Sequence, residues 1–242
     1  MILLIDLGNT RLKWLEWQAG QLGAISAVSH IEGDIKQSVL NAWRVLPQPQ
    51  AIYLSVVGSS TLKQLLTDIV EQLWSGLEIQ EVRSTKTAYG VTNAYAKPEK
   101  LGVDRWLVLL AAQHHYSPAV CIVDCGTAIT LDVLDQQGMH LGGMIMPGLN
   151  LMQQALQRGT ANLTPNSEHY QRGLANDTEA AIFNGNLSAI KGFIEVGRKY
   201  DNKLLPLIVT GGDAELIVDS LKLEAIVDTK LIFKGLALFS KE

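Results

Sequence analysis

Asp6-Leu7-Gly8-Asn9-Thr10 near the start of the chain and Asp124-Cys125-Gly126-Thr127-Ala128-Ile129-Thr130-Leu131-Asp132 at its midpoint say nearly the same thing. Each is an Asp-x-Gly turn between apolar, β-rich stretches. The carboxylate can hold a hydrated Mg²⁺, the glycine lets the backbone approach closely, and the Thr hydroxyl and neighbouring N–H groups can bind phosphate oxygens. Two such turns facing each other would clamp a nucleoside triphosphate. Positions 6 and 124 lie about half of the 242 residues apart, so the chain reads as two similar halves, 1–116 and 117–242, built around a cleft. That is the geometry of an enzyme.

Composition narrows the classes. A chain of 242 residues with 47% hydrophobic and 18% charged residues can bury a large core and leaves little room for disorder. A net charge of −4 and a pI near 5.7 argue against a nucleic-acid coat, which needs clustered Lys and Arg. Met1-Ile2-Leu3-Leu4-Ile5-Asp6 reaches a charge too early for a signal peptide, and no apolar run approaches the roughly 20 residues of a membrane span. The expectation is a cytoplasmic protein with neither membrane nor nucleic acid as partner. Cys121 and Cys125, four positions apart on one strand, would stand about 13 Å apart, too far for a disulfide, and read as small core residues. The histidines, His30, His114, His115, His140 and His169, form no metal-ligand spacing.

The apolar pattern predicts strands at 2–6, 11–17 and 23–28, a helix over 34–45, and a buried strand at 51–57. A helix capped by Ser59 or Ser60 and running to about Trp74 follows, then a strand near 78–82. Residues 83–97 read as a loop, and Pro98 opens a helix reaching Tyr116, with Glu99 in its acidic first turn. Strands at 119–124, 128–134 and 139–145 restart the pattern of the first half, and Gly142 to Gly148 interrupts it. A polar loop at 159–175, a long helix at 177–199, a strand at 205–210, the Gly211-Gly212 turn, and two short helices around a strand at 223–227 complete the chain.

The first turn continues through Arg11 and Leu12 to Lys13, which lies on the return strand and can reach a β- or γ-phosphate, with Asp6 organising Mg²⁺. Alone it could equally be an ordinary tight hairpin. Val209-Thr210-Gly211-Gly212-Asp213 places paired glycines between a strand and a helix, where a base or ribose can lie against bare backbone. By itself it is also a plain strand-to-helix turn. Tyr95-Ala96-Lys97-Pro98-Glu99-Lys100-Leu101-Gly102-Val103-Asp104-Arg105 sets a carboxylate beside a guanidinium at a helix start. Asp104 could take the proton of an attacking hydroxyl and Arg105 could fork onto a substrate carboxylate, although such a neighbouring pair is common on solvated helix faces.

The repeated topology with paired phosphate turns is similar to the actin, Hsp70 and sugar-kinase superfamily of ribonuclease-H-like α/β folds. Within it, the chain resembles the type III pantothenate kinase family over nearly its whole length. Asp6 to Lys13 and Asp124 to Asp132 look like that family's phosphate motifs, Val209 to Gly212 like its adenosine motif, Gly102 to Arg105 like its G-x-D-R signature, and Gly142 to Gly148 like its dimer-interface motif. The resemblance implies ATP-dependent phosphorylation of pantothenate, the first step of coenzyme A synthesis, by a homodimer. It implies that Asp104 is the catalytic base. It also implies that Tyr95, Gly102, Val103, Asp104, Arg105 and Thr178 contact pantothenate, with Thr178 able to cap its helix as well. Asp6, Leu7, Gly8, Asn9, Thr10, Arg11, Leu12, Lys13, Gly126, Thr127, Gly211 and Gly212 match ATP contacts. Asp124 matches a residue that holds a monovalent cation, K⁺ or NH₄⁺.

Two rivals stand beside this reading. A phosphatase on the same fold would activate water and need no acceptor pocket, which the Tyr95 and Gly102 to Arg105 cluster speaks against. An ATP-binding accessory regulator of transcription is the other, and the acidic net charge and the lack of a helix-turn-helix pattern disfavour direct DNA binding.

Overall fold

Strand β1 (Ile2–Leu7) has apolar side chains on both of its faces, so the chain must cover both faces of the sheet it forms. The computed structural model describes residues 1–31, 33–58, 60–116, 119–159 and 173–240, and does so as two units. The first comprises Met1–Tyr116 and the C-terminal stretch from Lys230; the second comprises Ser117–Thr229.

In the first unit β1 pairs antiparallel with β2 (Arg11–Gln18), which in turn pairs with β3 (Gln21–Leu22) and β4 (Ser26–Ser29). Helix α1 (Ile35–Trp43) follows, N-capped by the Asp34 carboxylate, which accepts the Gln37 N–H at 3.1 Å. Strand β5 (Ala51–Val56) then joins β1 in parallel, and after α2 (Ser60–Leu73) the short β6 (Ile79–Glu81) closes the order β3-β2-β1-β5-β6. Ser59, one of the two expected caps, lies outside the described residues.

Period-two alternation sorts the β1 side chains. Leu3, Ile5 and Leu7 pack with Leu12, Trp14, Ile52 and Leu54 under α1 and α2, where Trp43 stacks on Trp74 at 5.8 Å between ring centroids. Leu4 and Leu15 face the other way, against Val103, Leu107, Phe233 and Leu236.

Residues 83–97 contain a small hairpin, β7 (Thr87–Ala88) with β8 (Val91–Thr92), rather than loop alone. The helix expected to run unbroken from Pro98 is two elements. A single 3₁₀ turn spans Pro98–Lys100, and α3 (Val103–His115) starts afresh after Leu101 and Gly102, whose extended ψ values of 131° and 135° break the helical path. Gly102 stands at the N-cap, because a Cβ there would lie 2.5 Å from Asp104 Oδ1.

The second unit repeats the scheme. Strand β9 (Val120–Cys125) pairs antiparallel with β10 (Ala128–Leu134), and β10 with β11 (His140–Pro147). The strand expected at 139–145 runs on to Pro147, and Gly142, at φ +117°, sits where the β10–β11 register shifts between Val133 and Leu134, a bulge that glycine accommodates. Helix α4 (Leu149–Gly159) then begins where a break was expected, its first turn carried by the Gly148 carbonyl, which accepts the Met152 N–H at 2.9 Å. Residues 160–172, most of the expected polar loop, lie outside the described residues. Helix α5 (Thr178–Gly197) is followed by a hairpin of β12 (Lys199–Tyr200) and β13 (Lys203–Leu204) that the sequence pattern did not indicate. Strand β14 (Leu207–Thr210), α6 (Ala214–Leu221) and β15 (Ile226–Val227) complete the order β11-β10-β9-β14-β15, which matches the path β3-β2-β1-β5-β6 of the first sheet, β4 having no counterpart. Helix α7 (Leu231–Ala237) belongs with the first unit, its Gly235 lying directly against the Leu107 carbonyl of α3.

Cys121 and Cys125 are both free and fully buried in the second core. Burial pushes the Cys121 thiol up to about 12 and the Cys125 thiol higher still, so both act as small apolar groups. No helix among the described residues is long and apolar enough to cross a membrane.

Candidate active site

Sheet register builds the first part of the site. Asp6 is directly opposite Lys13 on β2 and beside Ser55 on β5, so the three residues form one row across the sheet. That row lies on the Leu4 face, the face that α3 covers. Asp6 is 6% exposed, and its Oδ1 and the Ser55 hydroxyl complete no hydrogen bond of good geometry among the described residues. Burial drives the Asp6 carboxyl up to about 6; Lys13 pulls it down, the Asp104 carboxylate pushes it up, and the nearby Ser55 hydroxyl lowers it slightly. A buried carboxylate with an oxygen that makes no well-formed hydrogen bond fits a hard divalent cation such as Mg²⁺, which takes one or two carboxylates and completes its shell with water and phosphate oxygens.

The turn itself is closed by the Gly8 N–H donating to the Arg11 carbonyl at 3.1 Å. Leu7 and Leu12 have their side chains fully in the core, which leaves only their backbone for a ligand. Arg11 is exposed and Thr10 half-buried, while Asn9 Oδ1 lies so close to Gly58 that a Cβ there would sit 2.9 Å away. His30, which no sequence motif singled out, donates from Nε2 to the Gly8 carbonyl at 2.9 Å.

On α3, Asp104 stands in the first helical turn and its Oδ1 accepts the Arg105 N–H at 2.8 Å. Arg105 is 5% exposed, donates from Nη1 to the Tyr95 hydroxyl at 2.9 Å, and lies over the Tyr95 ring at 5.8 Å. A guanidinium so buried is held in place rather than solvated. Tyr95 is fixed in turn by Asn93, which is fully buried and accepts the Tyr95 N–H at Oδ1 (2.9 Å) while donating from Nδ2 to the carbonyls of Thr85 and Pro98. Lys86 donates to the Asn93 carbonyl at 2.8 Å. Sequence reading missed Asn93 as the organiser of this loop; an Asn amid polar loop residues, two positions before a candidate ligand, was the available signal. The Val103 side chain packs into the α3 core and leaves only its backbone for a substrate.

The second unit carries the other candidates. Gly126 sits in the β9–β10 turn, its N–H donating to the Ala128 carbonyl at 3.1 Å. Register sets Asp124 opposite Thr130 and beside Thr210, so the second phosphate turn and the Gly211-Gly212 turn are neighbours. They touch: the Asp213 N–H donates to the Cys125 carbonyl at 3.0 Å, and Gly211, at φ +96°, is crowded by that carbonyl and by Asp124 Oδ1. Gly148 packs onto the same turn, its N–H reaching the Thr127 carbonyl at 3.0 Å. The Asp124 carboxylate thus lies at the junction of these turns, its Oδ1 close to Gly211. Thr178 is exposed at the first turn of α5, and the cap belongs instead to Asp177, whose Oδ1 accepts the Ala180 N–H at 2.8 Å. Asp132, at the end of the second motif, is buried against His140 Nε2 at 2.8 Å and serves the sheet.

Comparison with known proteins gives these residues a context. The sequence model of the type III pantothenate kinase family matches residues 2–197. A type III pantothenate kinase of Nitrosococcus oceani is 37% identical, covering 100% of this chain and 94% of the relative, and one of Dichelobacter nodosus is 42% identical over 76% and 74%. Among solved structures, a Campylobacter jejuni protein described as a Baf family transcriptional activator superposes with a TM-score of 0.66 at 22% identity, covering 98% and 96% of the two chains. The ethanolamine utilization protein EutJ of Carboxydothermus hydrogenoformans follows at 0.53 and 16%, covering 98% and 89%. At such identities the likeness is one of fold, and that fold is the actin-like ATPase α/β architecture.

Proposed function

Because the chain belongs to the type III pantothenate kinase family, we propose that it transfers the γ-phosphoryl group of ATP to the primary hydroxyl of pantothenate, giving 4′-phosphopantothenate and ADP. The observation that carries the assignment of roles is the row Lys13, Asp6 and Ser55 on the face covered by α3, with the Asp104 charge acting on Asp6.

In this reading Asp104 accepts the proton of the pantothenate hydroxyl as its oxygen attacks the γ-phosphorus and the bond to the bridging oxygen of ADP breaks. Arg105, held by Tyr95, forks onto the pantothenate carboxylate. Gly102, at the N-cap of α3, and the Val103 backbone contact the acceptor, and Thr178 is a further pantothenate contact. Lys13 and the N–H groups of Gly8, Asn9 and Thr10 take phosphate oxygens, as do Gly126 and Thr127 of the second turn, while Gly211 and Gly212 offer bare backbone to the adenosine. The transition state is loose, so positioning and charge neutralisation carry most of the rate and the base adds about 10²–10⁴.

Asp6 would hold Mg²⁺ and Asp124 a monovalent cation, K⁺ or NH₄⁺. Bound there, Mg²⁺ supplies charge neutralisation at the phosphates. The proposal extends to a homodimer in the cytoplasm. Supporting the dimer, β11 is a sheet edge that exposes Leu141 and Ile145 (37% and 62%), with Met139 just before it 41% exposed. Conversion of pantothenate to a phosphorylated product, followed by mass with ATP as donor, tests the reaction itself.

A further inference from the structure

Between Gly8 and Asn9 lies a peptide unit whose orientation nothing in the turn's own hairpin bond determines. The Gly8 N–H to Arg11 carbonyl bond fixes the preceding peptide, Leu7–Gly8. Glycine at position 8 has no Cβ to resist rotation, so the following peptide is the part of the turn most able to swing. His30 reaches that unit from outside. It follows β4, whose Ser29 is in register with Arg11 of β2, so residue 30 arrives opposite Thr10. Its backbone N–H donates to the Thr10 carbonyl at 3.2 Å and its Nε2 to the Gly8 carbonyl at 2.9 Å. A carbonyl oxygen can only accept, so Nε2 carries the proton in this contact.

We infer that His30 is a positioning residue for nucleotide binding: by holding the Gly8 carbonyl it aims the Asn9 N–H at the phosphates of ATP. In a trans peptide the C=O and the following N–H point in opposite directions, and no cis peptide bond occurs among the described residues. Fixing the Gly8 oxygen toward His30 therefore turns the Asn9 N–H to the opposite side of the turn. The Asn9 side chain lies close to Gly58, where a Cβ would stand 2.9 Å from its Oδ1. A pre-aimed N–H costs no reorganisation when the anion arrives, which is where such a donor gains its effect.

This inference rests on the reading that the Asp6 to Lys13 turn takes the phosphates of ATP. The test compares steady-state kinetics and thermal unfolding of His30→Ala, His30→Gln and Lys13→Ala with the unaltered chain. One hydrogen bond of ordinary strength predicts that His30→Ala raises the KM for ATP about three- to tenfold, with kcat and the KM for pantothenate within about twofold and Tm little changed. His30→Gln, whose side-chain N–H₂ can reach the same carbonyl, restores most of the ATP affinity. An unchanged KM for ATP in His30→Ala, while Lys13→Ala raises it, overturns the role of His30 and leaves the phosphate turn standing. A His30→Ala variant that loses Tm and all kinetic constants together, with no rescue by Gln, overturns it as well, in favour of a purely structural histidine. An unchanged KM for ATP in Lys13→Ala removes the phosphate turn itself and the inference with it.

Discussion

Asp6 and Lys13 face one another across the β1–β2 pair, and the carboxylate, though beside an ammonium group, has its pKa raised to about 6 because burial outweighs the attraction. The folded state thus holds the Asp6 proton more tightly than the unfolded chain does, where the ordinary value is 3.8. Stability from this source is fully present below pH 4 and is lost as pH rises through about 6. Asp6→Asn removes that cost. Without ligand, urea unfolding at pH 7.5 is expected to find the variant more stable by roughly 1–3 kcal/mol, with the gain vanishing near pH 4. Mg²⁺-dependent turnover is lost in the same variant. A variant less stable at pH 7.5 would mean that Asp6 is held by contacts rather than strained by burial.

The Tyr95 hydroxyl accepts from Arg105 Nη1 at 2.9 Å and the ring lies under the guanidinium. Tyr95→Phe keeps the ring and removes the acceptor. Initial-rate kinetics should show the KM for pantothenate rising about three- to tenfold, with the KM for ATP unchanged. If the ATP constant moves instead, Arg105 serves the nucleotide rather than the acceptor.

Gly211 and Gly212 separate two reasons for glycine. Gly211 has φ +96° and lies against the Cys125 carbonyl and Asp124, whereas a Cβ at Gly212 meets nothing within 4 Å. Gly211→Ala is expected to destabilise by about 2–4 kcal/mol through strain and crowding, visible as a lower unfolding midpoint. Gly212→Ala should fold normally and lose only ATP affinity. Equal stability of the two variants would contradict the close approach of the two turns.

Much of this was legible in the chain because its signals are local. The unbroken apolar run of Ile2 to Ile5, the Asp-x-Gly turns and the paired glycines each need only their neighbours in sequence to be read. What was not legible depends on distant partners. Helix α4 was hidden because Pro147-Gly148 looks like a stop, whereas Gly148 is needed to pack on Gly126 and Thr127 and then starts the helix. The break at Gly102 follows from the position of the Asp104 side chain, and the roles of Asn93, Ser55 and His30 follow from loop folding and strand register. Spacing alone also gave Thr178 a possible capping role that Asp177 takes, since two adjacent residues were both able to cap.

Whether Asp104 deprotonates pantothenate for attack on ATP is tested by ADP release with ATP, Mg²⁺ and K⁺, with and without pantothenate, for the unaltered chain and for Asp104→Asn. Turnover is expected to require pantothenate and to fall about 10²–10⁴-fold in kcat in the variant, with the KM for ATP nearly unchanged. ADP release indifferent to pantothenate, or a variant that keeps its kcat, would contradict this role.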